Sequence, residues 1–344
     1  MTSPPMTPTP TTDPDEPVRV RLRGAGDVVA SLPALLGYDA RSSLVLIVMS
    51  HEPRQVRLTM RLDIPPTPGP RSWQAVADAF APGLRAAGGS EALLVQIDGE
   101  PEWADEVADA LDLTLARYGM ALADVIVTAD GCYRSRRCHD PQCCPPQGRP
   151  VPGTSALTAA AVTTGRVIHS SRDELAIEVT PPDDVAATRA ERVAELFVAA
   201  LPHGSLDTSP DGVEALLSRA CAATVDGGEV ALNDAMRLAL MLVAPDARDQ
   251  TYAHVVTAGE DAHRALWASV CRQLPREYCA APLAYFALTA YLQGSGAVAN
   301  VALAAANEVD RAHPTVRLLD DLIAAGVSPG DVRSTLARAT APAD

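Results

Sequence analysis

The sequence contains no lysine, and all 28 of its basic residues are arginine. We interpret this as the codon bias of a GC-rich genome rather than a functional preference for guanidinium groups. Aromatic residues are also scarce, at 4% of 344 residues, although 47% of the chain is hydrophobic. The cores must therefore be built mainly from Ala, Val and Leu, which favours close packing of helices. A chain of this length can hold two domains of ordinary size.

Positive charge is scarce too, because 43 acidic residues outnumber the basic ones and leave a net charge of -15 at pH 7. Affinity for nucleic-acid backbones comes from clustered cations, so we expect no nucleic-acid partner. No apolar run reaches the roughly 20 residues that a membrane-spanning helix needs. The first 17 residues lack the basic and apolar regions of a signal peptide. We therefore expect a soluble, cytoplasmic protein that does not associate with a membrane.

Signatures of common catalytic sites are missing as well. The Gly24-Ala-Gly26 segment lacks the third glycine of a dinucleotide-binding loop. The sequence has no H-E-x-x-H and no G-x-S-x-G motif, and its seven histidines do not cluster along the chain. These absences favour a binding or scaffold protein over an enzyme.

The first half of the chain alternates predicted strands and helices. A tail rich in Pro and Thr over residues 1–17 is predicted to be disordered. The two strands that follow the first helix are predicted to form an antiparallel hairpin. The pattern predicts an α/β domain over residues 18–181, with a mixed sheet and flanking helices. The predicted strands are Val18–Leu22, Ser43–Met49, Val56–Leu62, Ala92–Ile97 and Asp124–Thr128.

The second half contains helical segments separated by Gly, Pro and Asp clusters, which end helices. It predicts an all-helical domain over residues 182–344, with the boundary near Pro181. Before that boundary we expect a helix at Ser155–Val162 and extended segments at Arg166–Ser170 and Glu174–Val179. The predicted C-terminal helices are Val185–Leu201, Gly212–Ala223, Leu232–Val243, Ala262–Leu274, Pro282–Gln293, Ala297–Arg311, Val316–Ala325 and Gly330–Arg338.

The most unusual stretch is 131–149, GCYRSRRCHDPQCCPPQGR, which holds four of the seven cysteines. As thiolates, Cys138, Cys143 and Cys144 could bind zinc or an iron–sulfur cluster, with Cys132 or His139 as the fourth ligand. Two features argue against a metal. Adjacent cysteines rarely both reach one tetrahedral ion, and the stretch has no paired C-x-x-C motifs.

Two other interpretations of the same cysteines remain open. In the first, four nearby arginines lower the thiol pKa, and Cys138 forms a reversible disulfide with Cys143 or Cys144. In the second, the cysteines are small hydrophobic side chains that fix a proline-rich loop against the sheet. The arginines are Arg134, Arg136, Arg137 and Arg149.

A second candidate site is a set of acids at predicted strand ends, namely Asp63, Asp98 and Asp130. In open α/β sheets ligands bind beyond the carboxyl ends of strands, so these acids could line a cleft with Ser43 and Arg61. Such a cleft could hold a divalent cation or provide an acid and a base. Equally, these are ordinary turn residues. If the strand before Asp63 were antiparallel to its neighbours, we would expect Asp63 at the opposite edge.

Several phrases of the chain resemble the actinobacterial DUF4192 family, a family of unknown function. They are SLPALLGYDARSSLVLIV, RLTMRLDIP, SSRDELAIEVTP, LWASVCRQLP and LLDDLIAAGVSP. The most specific phrase is C-x-D-P-x-C-C-P-x-x-G, which Cys138, Asp140, Pro141, Cys143, Cys144, Pro145 and Gly148 match. Cys132 and His139 lie outside this pattern. The resemblance covers nearly the whole chain and supplies no chemistry.

These observations favour a binding or scaffold protein that presents a surface to a protein partner and carries a cysteine-rich loop, which a metal could cross-link. The alternative is an enzyme with a site between the two domains, using the strand-end carboxylates or a redox-active cysteine loop.

Overall fold

The structure, a computed structural model, describes residues 20–163, 167–180, 184–200 and 206–339. The N-terminal half forms a six-stranded mixed sheet in the order β2-β1-β3-β4-β5-β6, which confirms the predicted α/β architecture. The strands are β1 (Ser43–Ser50), β2 (Gln55–Asp63), β3 (Glu91–Ile97), β4 (Ala121–Ala129), β5 (Cys132–Ser135) and β6 (Arg149–Pro150).

Helices flank this sheet and make up the C-terminal half, as predicted. The N-terminal half contributes α1 (Ala25–Leu36), α2 (Pro70–Ala87), α3 (Pro101–Ala116), α4 (Ala156–Thr163) and α5 (Arg172–Ile177). The C-terminal half contains α6 (Asp184–Ala200), α7 (Pro210–Ala223), α8 (Leu232–Met241), α9 (Pro245–Ala258), α10 (Glu260–Gln273), α11 (Ala280–Leu292), α12 (Gly296–Asp310), α13 (Pro314–Ala324) and α14 (Pro329–Ala339).

Strand directions bring three carboxyl ends to one edge of the sheet. β1 is antiparallel to both β2 and β3, and β3 is parallel to β4, so β2, β3 and β4 all run the same way. Ser43 at the start of β1 lies opposite Asp63 of β2 and Ile97 of β3. The expectation that an antiparallel β2 would place Asp63 at the opposite edge is therefore wrong, because β1 reverses direction between β2 and β3.

The sheet separates two hydrophobic layers, and β1 is buried on both faces. This explains its uninterrupted apolar sequence, since a strand covered on both sides needs no polar face. One face packs against α2 and α3 through Leu44, Leu46 and Val48. The opposite face, with Val45, Ile47 and Met49, belongs to the same core cluster as α1 and the C-terminal helices.

The C-terminal helices surround α11, which is apolar on all sides and almost completely buried. A helix without a polar face is stable in water only when neighbours cover it entirely. The core around α11 is continuous with one face of the sheet. The predicted tail at 1–17 and the predicted boundary at Pro181 lie outside the described residues, so the division into two domains stays a prediction.

The prediction of an extended segment at Glu174–Val179 is wrong, because helix α5 covers residues 172–177. Ser171 is the N-cap, and its hydroxyl accepts a hydrogen bond from the backbone N–H of Glu174. The Glu174 carboxylate accepts from the backbone N–H of Ser170 at 2.8 Å. This S-x-x-E pattern is a helix-start signal that outweighs the alternating apolar residues after it.

Other predicted elements also differ from the structure. Residues 20–22, the described part of the predicted strand Val18–Leu22, form no strand. Of residues 167–170, the described part of the predicted extended segment Arg166–Ser170, only His169 takes part in a bridge, with Tyr38. Helix α9 was not predicted, because its sequence PDARDQTYAHVVTA is largely polar at its start and lacks a clear apolar face.

Candidate functional site

The cysteine-rich stretch begins and ends as strands rather than as a loop. Asp130 and Gly131 form the two-residue turn between β4 and β5, with φ of 51° and 73°. Positive φ at both positions is typical of hairpin turns, and Asp-Gly is a favoured pair for them. β5 then pairs with both β4 and β6. The segment between β5 and β6, residues 136–148, is the hairpin tip.

A buried serine fixes the base of this tip. The Ser135 hydroxyl donates to Asp124 Oδ1 at 2.6 Å. It also accepts hydrogen bonds from the backbone N–H groups of Arg137 and Cys138, at 3.2 and 3.0 Å. The backbone that enters the tip is therefore held in one direction before the first of the three predicted cysteine ligands.

Two arginines tie the same base to helix α3. Arg136 forms an ion pair with Asp105, which holds the pKa of that carboxyl below its ordinary value through its hydrogen bond. Arg137 Nη2 lies 3.0 Å from Asp112 Oδ2. These side chains are thus engaged with the acidic face of α3.

Asp140 organises the far end of the tip into a tight turn. Its backbone carbonyl accepts from the N–H groups of Cys143 and Cys144, at 3.1 and 2.7 Å. Its carboxylate accepts from the N–H of Gln142 at 2.8 Å. Arg149 Nη2 donates to the carbonyl of Gln142 at 2.5 Å. The turn brings the two adjacent cysteines back toward the start of the tip.

This turn places three thiols together. The sulfur atoms of Cys138, Cys143 and Cys144 all lie within 4.8 Å of one another, and all three cysteines are free. Cys143 is exposed, and the other two are half-buried. The sulfur atoms of both adjacent cysteines therefore lie in one group with that of Cys138.

The electrostatics of the cluster arise within the turn. A hydrogen bond from the Asp140 backbone lowers the pKa of Cys138, followed by hydrogen bonds with Cys144 and Cys143. The pKa of Cys143 is raised, because Cys143 forms a hydrogen bond with Cys138 and lies beside the negative charge of the Cys138 thiolate. Both pKa shifts therefore arise from groups within the turn, and not from the arginines as one interpretation of the sequence supposed.

Two of the predicted ligands stay outside the cluster. Within the described ranges, no other His, Cys, Asp or Glu joins the three sulfurs, so neither Cys132 nor His139 is a fourth ligand in this arrangement. Cys132 lies in β5, and a Cβ at Gly148 would come within 3.1 Å of the Cys132 Cβ. His139 is exposed.

A second group of metal-type side chains is buried between helices α7, α9 and α10. Cys221, His254 and His263 come within 4.8 Å of one another. His254 Nδ1 and His263 Nε2 are 2.7 Å apart. Sequence spacing does not predict this group, because its histidines are nine residues apart and one lies on α9, the helix that was not predicted.

Hydrogen-bond directions show that these imidazoles are already engaged. The Trp267 N–H can only donate, and it lies 3.2 Å from His263 Nδ1, so the His263 proton is on Nε2. That proton is donated to His254 Nδ1, and His254 Nε2 then donates to Ser218 Oγ at 3.1 Å. Ser218 in turn donates to Glu214. A metal at His263 Nε2 would move the proton to Nδ1, against the Trp267 N–H, so this group is a hydrogen-bonded core rather than a metal site.

At the strand ends, the structure brings part of the predicted cleft together. Arg61 Nε donates to Ser43 Oγ at 2.8 Å, and Arg61 Nη2 lies 2.6 Å from Asp63 Oδ1. Asp98 connects to this group only through the backbone, since its Oδ2 accepts from the N–H of Ser42 at 3.1 Å. Asp130 is exposed in its turn. The polar groups of this edge bond mainly to one another.

The fold and the thiol cluster define a mixed-sheet protein with a helical C-terminal half and a cysteine-lined hairpin tip. A family model described as DUF4192, a domain of unknown function, matches residues 26–330, so the chain belongs to the DUF4192 family. No curated protein and no solved structure matches the chain. Among the described residues, none of the helices has the length and apolar character to span a membrane.

Proposed function

We propose that the chain is a binding protein whose hairpin tip holds a zinc ion through Cys138, Cys143 and Cys144. The observation that carries this proposal is the approach of the three sulfurs to within 4.8 Å of one another. Zinc–sulfur bonds of about 2.3 Å in tetrahedral geometry place sulfurs about 3.8 Å apart. Small side-chain rotations would close the cluster around an ion.

The number of ligands favours zinc over an iron–sulfur cluster. Thiolates suit both zinc and iron–sulfur centres. Such clusters are ordinarily held by four cysteines, whereas zinc also binds to three protein ligands with a fourth position left over. The tip offers three thiols.

A bound zinc ion would cross-link the start of the tip to its far end. The base is already fixed by Ser135, Arg136 and Arg137, so the ion would make the exposed part of the tip rigid. A rigid surface loses less conformational entropy when a partner binds. We propose that this surface, which includes His139, Asp140 and Gln142, contacts a protein partner.

Metal analysis of the purified full chain tests the metal site. We expect about one zinc per chain, and loss of that zinc when Cys138, Cys143 or Cys144 is replaced by serine. The matched control is Cys132→Ser in the same hairpin, which should keep the zinc because Cys132 lies outside the cluster. Equal zinc content in Cys138→Ser and Cys132→Ser would show that the cluster does not bind the metal.

The alternative of an enzyme at the strand ends has less support. The sheet directions do gather Ser43, Asp63 and Asp98 at one edge. Arg61, however, is bound to Ser43 and Asp63, and Asp98 is bound to the backbone of the same edge. These contacts connect the ends of neighbouring strands, so they favour a structural role over a catalytic one.

A further inference from the structure

We propose that the zinc site is open, and that it takes an exogenous thiol as its fourth ligand, bound as a thiolate. This inference rests on the proposed function, because it requires the ion to be held by the three cysteines. It adds the class of molecule that the site recognises.

The ligand count points to an open site. Structural zinc sites are closed by four protein ligands, whereas sites that exchange ligands keep three and leave one position for water or another molecule. Across the described part of the chain, no His, Cys, Asp or Glu adds a fourth ligand atom to the three sulfurs. The nearest carboxylate in sequence, that of Asp140, already accepts the N–H of Gln142 within the turn.

The cluster is also accessible from solvent. Cys143 is exposed, and so are the residues before it, from His139 to Gln142. This differs from the group of Cys221, His254 and His263, whose side chains are all buried in the helical core. A small molecule can therefore approach the ion from the side of Cys143.

The chemistry of the site favours sulfur at the open position. A metal that is already held by three soft thiolates suits a further soft ligand. Three thiolates leave one negative charge on a zinc site, and a fourth would leave two. Arg149 and Arg134 donate to the carbonyls of Gln142 and Pro146, so two positively charged side chains contact the tip that carries the site.

Binding can be written as a balanced ligand exchange. The incoming thiol loses its S–H proton to solvent, its sulfur forms a bond to zinc, and the zinc–water bond breaks. No electron is transferred, and one proton is released for each thiol bound, since a coordinated thiol is deprotonated.

The test uses cobalt(II) in place of zinc in the full chain, because tetrahedral cobalt has visible absorption bands that report its ligands. We expect 2-mercaptoethanol, added near neutral pH, to change the bands with saturation at one thiol and one released proton per cobalt. Cobalt should remain with the protein during gel filtration. The Cys132→Ser variant should respond in the same way, and imidazole at equal concentration should have a smaller effect.

Each other outcome is decisive. If cobalt does not bind, or binds equally well to Cys138→Ser, the proposed function itself fails. If cobalt binds but its spectrum is unchanged by the thiol, the site is closed and only this inference fails. The inference also fails if imidazole binds as well as the thiol, if the thiol removes the metal, or if two chains share one ion.

Discussion

Lowering the pH from about 7 to about 5 is expected to reduce the free energy of unfolding by about 2 kcal/mol through His263 alone. Burial in the helical core lowers the pKa of His263 from 6.5 to about 3, with a further contribution from His254. Below pH 6.5 the unfolded chain therefore binds a proton that the folded chain excludes. This contribution of His263 to the free energy of unfolding is fully present above pH 6.5 and is lost as the pH falls toward 3. Urea unfolding at a series of pH values measures the free energy of unfolding.

The hydrogen-bond chain gives the structural reason for this exclusion. A second proton on His263 would have to sit on Nδ1, which already accepts from Trp267. The control is His263→Asn, whose side-chain oxygen can still accept from Trp267. This variant should be less stable than the wild type near neutral pH. The difference in free energy of unfolding between the two proteins should become smaller toward about pH 5. A wild-type stability that is flat over this range would contradict the account.

Replacing Trp267 by alanine is expected to reduce the free energy of unfolding by about 3–5 kcal/mol. Trp267 is fully buried, and its ring is stacked on Tyr285 at 5.2 Å between centroids. The substitution would leave a large cavity and remove the donor to His263 Nδ1. Trp267→Phe keeps most of the ring volume but removes the N–H that donates to His263. We expect this variant to lose about 1–3 kcal/mol of the free energy of unfolding.

The same variants test whether the two halves unfold together. Trp73 and Trp103 lie on α2 and α3 in the N-terminal half, so in Trp267→Phe or Trp267→Ala their fluorescence reports that half alone. Because one core cluster joins the sheet to the C-terminal helices, we expect this fluorescence and the helical circular dichroism to change at one urea concentration. Two separate transitions would show that the halves are independent domains.

The sequence predicted the sheet and most helices because their apolar patterns are strong. The residues 43–49 read as a buried strand because both faces of β1 are covered, and both faces are apolar. Helix α9 was missed because tertiary contacts, rather than its own amphipathic pattern, hold it in place. The missed helix carries His254, so the buried histidine pair could not be found from spacing alone.

The candidate site was predicted in part. The sequence suggested that Cys138, Cys143 and Cys144 could bind one metal ion. The turn around Asp140 shows how the chain brings their sulfur atoms together. The exclusion of Cys132 depends on its place in β5, which sequence spacing does not reveal. The arginines were expected to act on the thiols, but Arg136 and Arg137 pair with acids of α3 that are distant in sequence.

The most direct test of the metal site is X-ray absorption at the zinc edge on the full chain, purified with zinc in a buffer without thiols. The account predicts three sulfur neighbours at about 2.3 Å and one oxygen neighbour from water. Adding 2-mercaptoethanol should replace the oxygen by a fourth sulfur. A first shell that contains only nitrogen and oxygen, or four sulfurs before any thiol is added, would contradict it.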